Sequence, residues 1–228
     1  MTELKLRATT LEKFRRFMSD NYSYETEESL IETLSGSFKG NEYTRVGTAF
    51  HLIVERGDVS THEGDKRIVK IDEFDIIFNQ SHVDTALAYK EEIKGCFHEI
   101  RDSKTYHVDG AKIDISGGAD VIMGIRLRDI KTKYSPMRDI EDYTDSYQWR
   151  VYCDIFELPE FYFDIFEFKG YKKEKHGYDV SSLSIVRHDP IQCLSYATMQ
   201  TDIEKMLSKF LEFVRFKNLE YLFQEIKL

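Results

Sequence analysis

Positive charge is in short supply. Lys and Arg number 32 against 41 Asp and Glu, a formal net charge of −9. That excludes a protein that coats nucleic acid through bulk electrostatics and makes any such contact a matter of particular residues. Cysteine is scarce too. Cys96, Cys153 and Cys193 are widely spaced and form no Cys-x-x-Cys pair, so neither a zinc site nor a disulfide framework is indicated, and all three are expected to be ordinary buried thiols. With only 3 prolines, no low-complexity tract and no internal repeat, extended disorder is not expected. No apolar run approaches the ~20 residues needed to span a bilayer. The polar start, Met-Thr-Glu-Leu-Lys-Leu-Arg, has no signal-peptide core, which leads us to expect a cytoplasmic protein with no membrane contact. A Gly-x-x-x-x-Gly-Lys-Ser/Thr loop is also missing, so an ATP-driven motor is not expected.

What remains is a chain of 228 residues, 41% hydrophobic and 14% aromatic, enough for one domain with a full core of α/β or α+β class. Thr9 and Glu12 read as a capping box for a first helix to about Asp20, carrying Leu11, Phe14 and Phe17, with Arg7, Lys13, Arg15 and Arg16 as its solvated face. A second helix covers about Thr26 to Leu34, and Gly36 and Gly40 mark a loop. Arg45 to Gly57 reads as a helix that places His51 and Glu55 on one face. Gly47 inside it costs about 1 kcal/mol relative to Ala and signals a close backbone approach. Beyond a short strand at Ile68 to Ile71, Ser81 is expected to cap a helix to about Lys94. Phe97 to Val108 reads as a strand pair or one long strand, and Asp109-Gly110 as a turn. Asp142 to Glu157 is expected as a helix with Gln148 and Tyr152 four apart. Phe161 to Phe168 and Leu183 to Val186 form a second hairpin around a mobile Lys-rich loop, and a last helix runs from about Thr198 to Gln224.

The centre of the chain is Gly117 to Lys131. Apolar runs flank Met123-Gly124, so the spacing predicts a hairpin turning near Gly124 and Ile125, with Asp120 and Asp129 facing each other across the ladder. Opposed Cβ atoms lie roughly 4.5 to 5.5 Å apart, close enough for two carboxylates to share a divalent cation. Strand alternation brings Lys131 to the face of Asp129 and turns Arg126 and Arg128 away. An acid-x-Lys triplet alone proves nothing in a chain with 32% charged residues. It recurs at Glu3/Lys5, Glu92/Lys94 and Asp102/Lys104 among others, most simply as solvated faces. Context sets Asp129/Lys131 apart: Asp120 in register, a preceding Gly-Gly, and partners elsewhere.

Read in order, Gly47…His51, Gly117-Gly118-Ala119-Asp120, Asp129-Ile130-Lys131 and Gln148…Tyr152 resemble the PD-(D/E)xK nuclease superfamily. The likeness is to its RecB-like branch and to phage-type recombination exonucleases similar to lambda exonuclease, and covers about residues 45 to 190. It implies an α/β restriction-endonuclease-like core, a central mixed sheet flanked by helices. N-terminal helices would occupy residues 1–40, the core about 45–190 and a C-terminal helix about 195–226, all in one nuclease domain. It further implies His51, Asp120, Asp129 and the Ile130 carbonyl as metal ligands, and Lys131 as the residue that activates water or stabilises charge at the phosphate. Gln148 and Tyr152 would line the site and contact DNA. Mg²⁺, with Mn²⁺ also acceptable to an imidazole ligand, fits such donors. Arg138 and Arg150 are candidates for DNA-backbone contacts. Three scattered cysteines cannot hold the iron-sulfur cluster of some RecB-like and CRISPR-associated members, and His51 stands where lambda-type enzymes usually carry Glu.

The expected activity is therefore that of a Mg²⁺-dependent exonuclease resecting double-stranded DNA ends in phage-type recombination or repair. Its expected company is a ring-like homo-oligomer and a single-strand annealing protein. The alternatives are an endonuclease, a nuclease subunit of a larger complex, and a non-catalytic interaction or DNA-binding protein whose acid-rich hairpin is a solvated face.

Overall fold

The structure, a computed structural model, describes residues 3–22, 24–137 and 140–223. The chain opens on strand β1 (Glu3–Arg7), then runs through helices α1 (Ala8–Phe17), α2 (Glu27–Leu34) and α3 (Glu42–Arg56). A small sheet follows from β2 (Thr61–Glu63), β3 (Lys66–Ile71) and β4 (Phe74–Asn79), leading to helix α4 (Gln80–Glu92). Next come the long strands β5 (Phe97–Val108), β6 (Ala111–Met123) and β7 (Arg126–Lys133), and helices α5 (Glu141–Thr144) and α6 (Tyr147–Phe156). Strand β8 (Glu160–Lys169), the single turn α7 (Lys173–His176), strands β9 (Ser184–Arg187) and β10 (Ile191–Leu194), and helix α8 (Met199–Phe216) complete it.

Several boundaries correct the sequence reading. Residues 3–7, read as a plain polar start, alternate exposed and buried and bury Leu4 and Leu6 as a strand. α1 begins at Ala8 with Arg7 as an N-cap that makes no side-chain bond. Glu12 does not reach back to Thr9. It is buried, where it accepts from Arg15 and Arg16 and from the Tyr147 backbone N–H at 2.8 Å. These arginines are thus partners of a buried acid, and the cluster ties α1 to the start of α6. Burial alone would raise the Glu12 carboxyl, but the two guanidiniums and the Tyr147 N–H hold it below its ordinary value. Asn79, two residues before Ser81, caps α4 in a reciprocal box with His82. The helix expected over 142–157 breaks at Asp145-Ser146, and Ser146 caps α6. α8 stops at Phe216, a 3-10 turn occupies Glu220–Phe223, and the expected helical residues beyond 223 lie outside the described residues.

The main sheet is mixed. β1 pairs parallel with β6, β6 antiparallel with β5 and β7, β7 parallel with β8, and β8 antiparallel with β9 and β10. Asp109 and Gly110 both take positive φ (48° and 75°) and close β5 onto β6 as a two-residue hairpin loop. On one face α1, α2, α6 and α8 pack Phe14, Leu30, Trp149 and Phe210 against Ile113, Ile115, Phe161 and Phe163. On the other, α3, α4 and the small sheet pack Phe50, Val83 and Phe78 against Ile130, Phe166 and Phe168. β8 is buried on both faces, which is why it reads as one apolar run interrupted by Asp164 and Glu167 alone between Phe161 and Phe168. Asp164 is fully buried, receives both arms of the Arg128 guanidinium at 2.7 and 2.6 Å, and accepts from Tyr89 Oη at 2.7 Å.

β6 is the spine. β5 takes one of its edges over nearly its whole length, so β1 and β7 share the other: β1 at Lys112–Ser116, β7 at only Val121–Met123. Between them Gly117 to Asp120 have no strand partner on that edge among the described residues. α6 closes over this gap, and a Cβ on Gly117 would stand 3.0 Å from the Tyr152 ring and 3.2 Å from Ile155. Gly117→Ala should therefore push α6 off β6 and cost about 1 to 3 kcal/mol, the usual range for overpacking. Thermal melts should show a midpoint lowered by roughly 2 to 4 °C per kcal/mol, and an unchanged midpoint would mean that α6 moves freely.

Candidate active site

β7 leaves β6 one residue before the two candidate aspartates would pair, because from Arg126 to Lys133 it is committed to a parallel ladder with β8. The expected hairpin and its turn are present, with Gly124 at φ 61°. Asp120 and Asp129, however, do not face each other as a ladder pair. Asp120 bridges the parted strands with its side chain, Oδ2 accepting the Ile130 backbone N–H at 2.7 Å. Alternation along β6 also slips here: Ala119 packs with the α6 face, Val121 with the α3 face, and Ile122 with the α6 face again. Asp120 sits at the kink.

β7 itself alternates cleanly. Arg128 and Ile130 point to the α3 and α4 side, as expected for Arg128, while Asp129 and Lys131 point toward α6. Asp129 is buried. Its Oδ1 accepts from Gln148 Nε2 at 2.8 Å, and its Oδ2 faces Lys131 Nζ at 2.7 Å as an ion pair outside hydrogen-bond alignment, so Oδ2 is a buried acceptor without a hydrogen-bond donor. Burial would lower the Lys131 amine, but the Asp129 carboxylate overrides it and holds Lys131 above its ordinary value, firmly charged.

From the other side of the sheet α3 brings His51 to 3.9 Å from Asp120 (Nδ1 to Oδ2). The close approach foreseen at Gly47 is to Thr132 on β7, whose Oγ1 would stand 2.7 Å from a Cβ there. Burial lowers the His51 imidazole below its usual value, so it is neutral and a ready donor at neutral pH. Asp120 is pushed well above its ordinary value, first by burial and then by Asp129. His51, Glu55, Asp120, Ile130 and Lys131 line a cavity of about 670 Å³. Lys131 and Gln148 line a second, of about 510 Å³, on the α6 side. Lys131, Thr132, Tyr43 and Tyr134 belong to both, so the two adjoin as one cleft where the end of β7 meets the start of α3.

Among the described residues no three His, Cys, Asp or Glu side chains are gathered closely enough to hold a metal ion as they stand. Asp129 is drawn toward Lys131 and Gln148, leaving His51 and Asp120 as the nearest pair. The donor set nonetheless suits a cation: a neutral imidazole, a desolvated carboxyl that a positive charge would ionise, and the orphaned Asp129 Oδ2. Gln148 and Tyr152 are both buried: Gln148 donates to Asp129 and keeps a place in the lining of the second cavity, while Tyr152 packs over Gly117 and lines neither cavity. Arg150 is not brought to the cleft. Its guanidinium donates to the Asp145 and Ser146 carbonyls and to Tyr196 Oη, at the junction of α5 and α6. Arg138 lies outside the described residues.

Glu99 was missed. It lines the cavity beside Glu55 and Asp120, takes a φ of 51° within β5 where the register with β6 has no pair, and has its carboxyl raised by burial and then by Glu55. Counting back from the Asp109-Gly110 turn places it across from Asp120, so the signal was in the sequence.

No family model matches the chain, and no curated protein matches it. The solved structure of SSO0001 is similar over 93% of this chain and 77% of its own, with 13% identity and a TM-score of 0.50. At that identity the likeness concerns the fold alone, a mixed α/β arrangement with a mixed central sheet flanked by helices.

The Asp120 carboxyl supplies a test of the site's electrostatics. A folded-state value raised above the unfolded one means that the stability contributed by the neutral form is whole below about pH 4 and is lost as pH climbs toward the raised value. Asp120→Asn, which can still accept from Ile130, should raise the melting midpoint in EDTA by several degrees near pH 8 and progressively less toward pH 4. A gain independent of pH would show that Asp120 is already ionised at no cost.

Proposed function

We propose that this chain is a metal-dependent deoxyribonuclease with a PD-(D/E)xK-type core, an exonuclease acting on double-stranded DNA ends in phage-type recombination or repair. The observation that carries the reading is the convergence of Asp120, Asp129 and Lys131 on the slot where β6 and β7 part, with His51 above it from α3. Residues of the required chemistry from α3, β6 and β7 meet there, and the Asp120 carboxyl is held above its ordinary value by burial and by Asp129 despite the Ile130 N–H and Lys131.

In this reading His51, Asp120, the Ile130 carbonyl and Asp129 would hold Mg²⁺ or Mn²⁺. Such an ion, when bound, screens the phosphate oxygens and acidifies a water. The protein's own share is positional. Gln148 fixes the Asp129 carboxylate, Asp129 keeps Lys131 protonated and aimed, and Lys131 offers a donor to the attacking water or to the charge that grows on the phosphate. Neither an iron-sulfur cluster nor ATP enters this chemistry. A ring-like homo-oligomer would give processivity, and a single-strand annealing protein would take the resected strand.

A second reading, a non-catalytic interaction or DNA-binding protein, draws on the engagement of Asp129 by Lys131 and Gln148, which leaves no ready three-donor group. Digestion of end-labelled linear and closed circular duplex DNA with Mg²⁺, Mn²⁺ or EDTA, beside Lys131→Ala, decides between them. Metal-dependent loss of linear DNA alone, reduced at least ~100-fold in Lys131→Ala, is the expected outcome. Cutting of both forms would make it an endonuclease, and no cutting of either would leave the non-catalytic reading.

A further inference from the structure

In a chain with net charge −9, one groove reverses the sign. It lies where β1 ends and α1 begins, beneath the loop that joins α2 to α3, and has a volume of about 830 Å³. Its lining carries Lys5, Arg7 and Lys13 and, among the described residues, no Asp or Glu. Lys13 Nζ donates to Thr33 Oγ1 at 2.8 Å, lies 3.7 Å from Glu25, and sits 5.4 Å from the centre of the Phe38 ring. Arg7 is exposed. Thr9 adds an exposed hydroxyl, while Thr33, Thr44 and Ser116 give theirs to backbone carbonyls, so the anion-binding capacity of the groove is carried by its cations.

Two further features indicate which anionic polymer fits. Phe38, a large aromatic left 46% exposed, stands on the loop at the groove's wall, where it offers a flat face to a base. A cationic groove with an exposed ring is the combination that holds a single strand, because a base must be unpaired to stack on a side chain. A planar membrane surface does not follow a groove, and an acidic peptide would use the charge but not the ring. The groove also leads to the cleft. Thr44, in the first turn of α3, lines both this groove and the His51 cavity, and Ser116, the last β6 residue paired with β1, stands just before the unpaired Gly117 to Asp120 segment.

We infer that the groove bounded by Arg7, Lys13 and Phe38 is a track for single-stranded nucleic acid, leading to or from the β6–β7 slot past Thr44. As a route to a cutting site it rests on the nuclease reading above, while as a binding surface it stands apart from it. The track takes the phosphate backbone on Arg7 and Lys13 and stacks a base on Phe38. Sequence preference is accordingly weak and salt dependence strong.

Fluorescence anisotropy of labelled oligothymidine and of a blunt hairpin duplex, with the full chain in EDTA over a range of salt, tests this. Arg7→Gln should weaken oligothymidine binding several-fold and make the log–log salt slope shallower by about 0.7, the value for one phosphate contact on a single strand. Arg7→Lys, which keeps the charge, should bind like the wild type. Phe38→Ala, on an exposed loop and so free of folding consequences, should lose about tenfold with the slope unchanged. Wild-type affinity in both Arg7→Gln and Phe38→Ala would overturn the track, and so would equal losses on the blunt duplex. The digestion assay separates the two ideas. A wild type that cuts while these variants bind normally refutes the track alone, and a wild type that does not cut while they lose binding refutes the nuclease reading alone.

Discussion

A β-strand has two edges, and one edge of β6 serves two partners. β1 uses its first half in parallel and β7 its last three residues in antiparallel, and neither reaches Gly117 to Asp120. Unpaired backbone at the centre of a sheet is costly unless something else satisfies it. Here Asp120 spans the breach with its carboxylate on the Ile130 N–H, and α6 lays Tyr152 directly over Gly117. Gly117 is what allows the helix to approach β6 where one edge of that strand has no partner. The slot, the parting of β6 from β7 and the meeting of residues from both sides of the sheet follow from that shared edge.

β7 shows how one strand handles charge in two ways. On one face Arg128 finds Asp164 fully buried, with both guanidinium arms bonded and Tyr89 completing the carboxylate. That pair is closed, and removing one partner would leave a bare charge in the core. One residue further, on the opposite face, Asp129 is satisfied on Oδ1 only, while the carboxyls of Asp120 and Glu99 are raised by burial and then by Asp129 and Glu55 respectively. The contrast between a closed ion pair and an open acidic cluster on the same strand separates scaffold from site more clearly than either would alone.

The cleft is made of two cavities that meet at the end of β7, beside the start of α3. Lys131, Thr132, Tyr43 and Tyr134 belong to the cavities on both faces, and Thr44 carries the same opening toward a groove of opposite charge to the molecule as a whole. A polymer following such a path would meet cations on one side, acids at the centre and tyrosines beyond. For a negatively charged protein this is an economical way to engage an anion: the attraction is confined to the path, and the remaining surface repels.

Local signals in the sequence determined the hairpin at Gly124, the turn at Asp109-Gly110, the helix around His51 and the alternation that sets Asp129 and Lys131 against Arg128, because these depend on residues a few positions apart. Turn counting also held the position of Glu99, although nothing local marked it as functional. The sequence misled where a long-range partner outbid a local one. Glu12 forgoes the Thr9 box for Arg15, Arg16 and the Tyr147 N–H of a helix more than a hundred residues away, and residues 3–7 become a strand only because β6 offers an edge. Only the tertiary structure decided that β7 would leave β6 for β8 before the aspartates could pair, that Gln148 would hold Asp129 from beneath, and that Arg150 would be spent on α5. Which strand wins a shared edge depends on the summed burial of whole faces, and no spacing of residues along the chain records that sum.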